Sequence, residues 1–195
     1  NTNGASGSPA RTSDSYTSGT AGLSLPAVGT MTKTGYDFGG WSPSPTGSAL
    51  NNNGYTTTTN HILYAIWNLK SINYTYARGV AGGTNVTGSH ILSFPSPSSR
   101  TGLYGSVINL DTTIASTAFV NPNTFQFMGW NDGSSIYSPG DAFTLGETAS
   151  TFTAEWVRLY EVRYALNGGT GIYDIDTECL QVNNTCLANQ AIHLS

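Results

Sequence analysis

Apolar residues along this chain recur at every second position in short runs. Tyr160, Val162, Tyr164 and Leu166 alternate with Glu161, Arg163 and Ala165, and Ile72, Tyr74 and Tyr76 alternate with Asn73 and Thr75. Leu23 and Leu25 flank Ser24, Tyr36 and Phe38 lead into Trp41, and Phe125 and Phe127 lead into Trp130. Leu63, Ala65 and Trp67 share one parity, as do Phe152, Ala154 and Trp156. Successive side chains of a strand point to opposite faces, so each run predicts a strand with one apolar face. Asn167-Gly168-Gly169, Asn131-Asp132-Gly133 and Ser138-Pro139-Gly140 supply turn chemistry between them. Thr113–Val120 is expected to add a helical turn or two. The predicted class is mostly β, with helix below roughly 15% of residues.

The runs repeat at long range. Trp41 and Trp67 are 26 residues apart, and so are Trp130 and Trp156, which makes both pairs offset by 89. The same offset carries Tyr36 onto Phe125, Phe38 onto Phe127, Gly40 onto Gly129, Leu63 onto Phe152 and Ala65 onto Ala154. With small shifts, Leu23 and Leu25 match Ile108 and Leu110, and Ile192 and Leu194 after them; Tyr74 and Tyr76 match Val162 and Tyr164. Self-similarity at a fixed period is the signature of tandem modules. The expected organisation is a first module over 1–68, a second over 69–157 and a partial third over 158–195. In that scheme the first module lacks an opening strand, because Asn3-Gly4 aligns with Asn167-Gly168. Each module is small, so its aromatics must supply most of its core. The expected core residues are Trp41, Trp67, Trp130, Trp156, Tyr36, Phe38, Phe125 and Phe127.

Composition narrows the class further. Charged residues are only 9%, against ~25% in an ordinary soluble domain. The polar surface comes from 22 Ser, 27 Thr and 17 Asn, with 23 Gly and 8 Pro as punctuation. The net charge is -4, and the seven Lys and Arg are scattered singly, so no basic patch exists to release counterions from a nucleic acid. No apolar run approaches the ~20 residues that span a bilayer as a helix. Cys179 and Cys186, with six residues between them, are expected to form a local disulfide in an oxidising compartment; two free thiols are the alternative.

The columns Tyr164 to Gly169, Leu23 to Pro26, Gly35-Tyr36-Asp37-Phe38-Gly39-Gly40-Trp41 and Ile62-Leu63-Tyr64-Ala65-Ile66-Trp67 resemble the Listeria–Bacteroides repeat family, the internalin-type B repeats. In the second module Thr124 stands where the pattern has Gly, and the closing strand reads Thr151-Phe152-Thr153-Ala154-Glu155-Trp156. The resemblance implies small β-grasp-like α+β modules, a tandem repeat of antiparallel sheets, strung along large bacterial surface proteins. It implies stalk, spacer or adhesive duty at the cell surface, outside the cell. It carries no catalytic residues and no cofactor.

Residue by residue, the chemistry is thin. Exposed tryptophans would form a sugar-stacking platform, but their alternation with other apolar residues favours a core. Tyr55, Tyr104, Tyr137 and Tyr173 lie in loop-like stretches and are better candidates for contact with glycans or proteins. Asp174, Asp176 and Glu178 share one face of an extended segment; a solvated strand edge explains them better than Ca²⁺. His61, His90 and His193 are isolated, and Asp37 is replaced by Gln126 in the second module, so no repeated active site is legible. The expectation is a non-enzyme, with a binding module for glycans or proteins as the alternative. Neighbouring copies are expected partners. Either an adjoining module or the Glu161–Leu166 strand of another copy completes the first module, and the second arrangement builds a head-to-tail filament.

Overall fold

The computed structural model describes residues 1–18, 20–161, 178–182 and 185–186. Among these residues there is no helix. They group into two compact units. Unit 1 takes Asn1–Ile72 together with Gly102–Ser106 and Leu145–Thr148; unit 2 takes Asn73–Thr101, Val107–Thr144 and the described residues from Ala149 onward.

Unit 1 is built on an antiparallel pair, β1 (Tyr36–Ser42) and β2 (Tyr64–Leu69). Its Ser/Thr/Gly-rich leading segment runs without extended strands. Single bridges hold it, Ser6 to Thr32 and Leu23 to Tyr55. Leu25, Met31, Trp41 and Ala65 are buried, with Ala5, Val28, Phe38, Leu50, Tyr55, Leu63 and Trp67 packed around them.

The remaining strands are β3 (Ser71–Ala77), β4 (Val80–Ala81), β5 (Thr84–Asn85), β6 (Ser99–Leu103), β7 (Val107–Asn109), β8 (Thr117–Val120), β9 (Asn123–Asn131), β10 (Ile136–Tyr137), β11 (Ala142–Thr144), β12 (Ser150–Glu161), β13 (Glu178–Val182) and β14 (Thr185–Cys186). In unit 2 the long strand β12 is central. It pairs antiparallel with β9 through Thr153–Arg158 and with β13 through Leu159–Glu161. On the side away from β9 it pairs in parallel with β3, Tyr74 to Ala77 opposite Ser150 to Thr153. The sheet is therefore antiparallel apart from the parallel pairing of β3 with β12. Tyr74, Tyr76, Phe125, Trp130, Phe152 and Trp156 are buried in this unit.

Two expectations fail on local grounds. Thr113–Val120 forms no helical turn; Thr117–Val120 is strand β8 on the edge of β9, with Ala118 buried and Phe119 exposed. β-branched Thr117 and Val120 and the alternating exposure suit a strand better than a helix. The expected disulfide is not supported either. Cys186 stands opposite Gln181 and Cys179 opposite Tyr160, so the cysteines occupy different rungs and do not lie at disulfide distance.

Candidate functional site

The repeated aromatic motif is a structural device in both units. Between β1 and β2, Phe38 faces Trp67 and Gly40 faces Ile66, leaving Gly39 as an extra residue. Between β9 and β12, Phe127 faces Trp156 and Gly129 faces Glu155, leaving Met128 as the extra residue. The two bulges fall at equivalent positions. Each re-aims the following tryptophan inward, Trp41 opposite Ala65 and Trp130 opposite Ala154. The glycine after each bulge has positive φ, +120° at Gly40 and +150° at Gly129. At Gly129 a Cβ would lie 2.6 Å from the Tyr137 carbonyl oxygen, so no side chain fits there without a shift.

Aromatic contacts repeat as well. Phe38 meets Trp41 and Trp67 edge to face at 5.6 Å each, and Phe127 meets Trp130 and Trp156 at 5.2 and 5.5 Å. All four indole N–H groups donate to backbone carbonyls: Trp41 to Pro26 at 2.7 Å, Trp130 to Asp111 at 2.9 Å, Trp67 to Thr2 at 2.9 Å and Trp156 to Arg78 at 2.7 Å. A buried indole needs such a partner. Trp41, Trp130, Trp156 and Phe125 are buried, while Trp67, Phe38 and Phe127 are half-buried. Tyr36 does not join them. It is 36% exposed beside the Lys33 ammonium, 4.8 Å from its ring centre.

The strongest electrostatic cluster lies in unit 2. The Asp111 carboxylate pairs with Arg100 and accepts from both the N–H and the hydroxyl of Thr113. Burial alone would raise its pKa, but the hydrogen bonds from Thr113 and the Arg100 charge outweigh that and hold it below the ordinary 3.8. Its backbone N–H donates to the Tyr76 hydroxyl at 2.9 Å, and burial pushes that hydroxyl upward. Every member has a partner inside the cluster, and Arg100 also lies over the Tyr76 ring. Such an arrangement orders a loop and leaves no free group for acid–base work. Asp132 also sits below its ordinary range, because the N–H groups of Ser135 and Ser134 donate to it in a tight turn.

A cleft lies in unit 1. It measures about 620 Å³ and is lined by Asn1, Leu23, Leu25, Trp41, His61 and Leu63 among others. His61 hydrogen-bonds Tyr55 and Thr57, and His90 hydrogen-bonds Thr87. Neither histidine has a carboxylate among its hydrogen-bond partners. Tyr55, Tyr104 and Tyr137 are all half-buried and do not form an exposed aromatic face. Among the described residues no group of His, Cys, Asp and Glu is placed to hold a metal ion. Asp174, Asp176, Tyr173, His193 and most of Glu161–Leu166 lie outside the described residues.

Comparison with known proteins follows the strand pair of unit 1. Residues 1–66 match the model of the Listeria-Bacteroides repeat domain. The matched domain covers β1, the bulge, Trp41 and the first half of β2. A Gly-rich membrane protein, so named, of Evansella cellulosilytica is 28% identical over 163 residues, covering 77% of this chain. The match takes up 17% of that relative's length. No solved structure matches the chain.

Sequence reasoning could name the aromatic columns but missed Asp111 and Arg100. Their only signal is that Asp111 directly follows the Ile108/Leu110 run, at the place Pro26 holds after Leu25.

Proposed function

We propose that this chain is a non-catalytic structural segment of a bacterial surface or secreted protein, acting as a stalk or spacer that holds other parts away from the cell. One observation carries the reading: what recurs between the units is the core. The bulge, the inward tryptophan, its carbonyl acceptor and the edge-to-face phenylalanine recur, whereas the loop between the two strands differs in composition and the segment from acceptor to first tryptophan, Pro26–Trp41 against Asp111–Trp130, differs in length. A binding or catalytic repeat would preserve exposed polar groups instead. The Listeria-Bacteroides repeat match over 1–66 and the membrane-protein name of the relative support a surface location. The low charge and the Ser/Thr/Asn-rich surface fit an inert spacer.

The test is immunolabelling of intact source cells with antibody raised against this chain, alongside variants of the native protein with repeats removed. The reading expects labelling without permeabilisation. It also expects a tag distal to the deletion to move closer to the cell as repeats are lost. Labelling only after permeabilisation, or a tag distance indifferent to repeat number, contradicts it.

A further inference from the structure

We propose that the cleft of unit 1 is the seat of a β-strand that leads directly into Asn1 and lies parallel to His61–Leu63. The proposal does not rest on the stalk reading. It comes from comparing the backbone of the two units.

In unit 2, Ala77 pairs in parallel with Thr153. In unit 1, the Asn1 nitrogen donates to the Leu63 carbonyl at 2.7 Å, and the Asn1 carbonyl accepts from the Ala65 N–H at 2.9 Å. Those two bonds bracket Tyr64, the pattern of a parallel rung. Under the offset of 89, Tyr64 is the counterpart of Thr153, so Asn1 occupies the place of Ala77. The next two residues agree. The Thr2 carbonyl accepts from Trp67 as the Arg78 carbonyl accepts from Trp156. Asn3 then turns with φ of +52°, as Gly79 does with +71°.

What lies ahead of Ala77 in unit 2 is the run Tyr74–Tyr76, paired with Ser150–Phe152. The Tyr76 ring lies 4.7 Å from the Trp130 ring and 5.7 Å from Phe152. The corresponding ground in unit 1 is the cleft, where Trp41 and Leu63, the counterparts of Trp130 and Phe152, form part of the lining. The strand record agrees: β12 is already extended at Ser150, whereas β2 begins at Tyr64, the counterpart of Thr153. Leu63 is half-buried where Phe152 is fully buried, and Ile62 is 62% exposed. The occupant that fits has an aromatic or large apolar side chain immediately before Asn1 and another two positions earlier, with small polar residues between.

The source is the polypeptide joined to Asn1, not a second copy. Asn1 already sits on the last rung, with its amino group bonded to the Leu63 carbonyl and its carbonyl to the Ala65 N–H. A strand donated by another molecule would have to stop short of Asn1 or expel it, losing both rung bonds.

The test uses the whole 195-residue chain. One variant carries a copy of Ser71–Tyr76 joined ahead of Asn1; a control carries the same extension with serine at its three apolar positions. In a parallel ladder the Leu63 N–H would donate to the residue two places before Asn1. Its hydrogen exchange should slow by about tenfold or more in the first variant and not in the control, with a higher unfolding temperature and a monomer by sedimentation. Equal exchange and equal melting in both extended chains overturn the proposal. Oligomers of the unextended chain, with Leu63 already protected and dissolved by the extension, would show that a second copy supplies the strand, and overturn the source assigned here.

Discussion

The indole N–H of Trp130 donates to the Asp111 carbonyl at 2.9 Å, so the residue at the centre of the unit 2 core also anchors the loop that carries the charged cluster. Core packing and loop order are thereby one feature. Trp130→Ala should cost ~3–5 kcal/mol from lost burial and the cavity left behind. Trp130→Phe keeps most of the apolar area but leaves the Asp111 carbonyl unpaired, and should cost ~1–3 kcal/mol. Urea denaturation of the two variants separates the effects; a Trp130→Phe variant as stable as the parent would mean that the hydrogen bond contributes nothing.

Acid should act through Asp111. Its folded-state pKa is below the ordinary 3.8, so its stabilisation is fully present above that value and is lost as pH falls through the folded one. Asp111→Asn should therefore be less stable than the parent near pH 6, by ~1–3 kcal/mol given the part-buried, hydrogen-bonded pair it breaks. The gap should narrow as pH falls below the ordinary 3.8 and through the folded-state value. Melting temperatures across that range check it, and a gap that widens toward acid reverses the sign and refutes the assignment.

Gly129→Ala should destabilise unit 2 by more than ~1 kcal/mol, since the residue has positive φ and its new methyl meets the Tyr137 carbonyl. Gly40→Ala should cost less, because the nearest atom there is the Ala49 methyl at 3.0 Å. Gly88→Ala, with nothing within 4 Å, should be close to neutral. Denaturation midpoints that rank these three otherwise would show that the bulge glycines are not what sets the strand pairing.

Much of this arrangement was legible from spacing. A pattern of period two makes a strand visible, and the offset of 89 between Trp41 and Trp130 carries through to bulge and register. What spacing cannot show is orientation between distant segments. The parallel pairing of β3 with β12 joins residues 76 apart, and nothing in Tyr74 or Ser150 encodes its direction. Tyr36 reads as core by alternation, yet it sits at the start of β1 beside Lys33, outside the inward row that begins at Phe38. The Cys179–Cys186 pairing was inferred from closeness in sequence, which says nothing of the register that sets Cys186 against Gln181. Thr113–Val120 shows the same limit, because the edge of β9 decides its conformation.

The central claim is that the repeated tryptophans are core and not a ligand surface. Tryptophan fluorescence of the folded chain, with acrylamide quenching and a panel of soluble oligosaccharides, tests it most directly. Trp41, Trp130 and Trp156 are buried and Trp67 half-buried, so emission should be blue-shifted, quenching weak until the chain is denatured, and the spectrum unchanged by every saccharide. Emission at the wavelength of hydrated indole, strong quenching of the folded chain, or a saturable shift with a saccharide would contradict the account and make this a binding module.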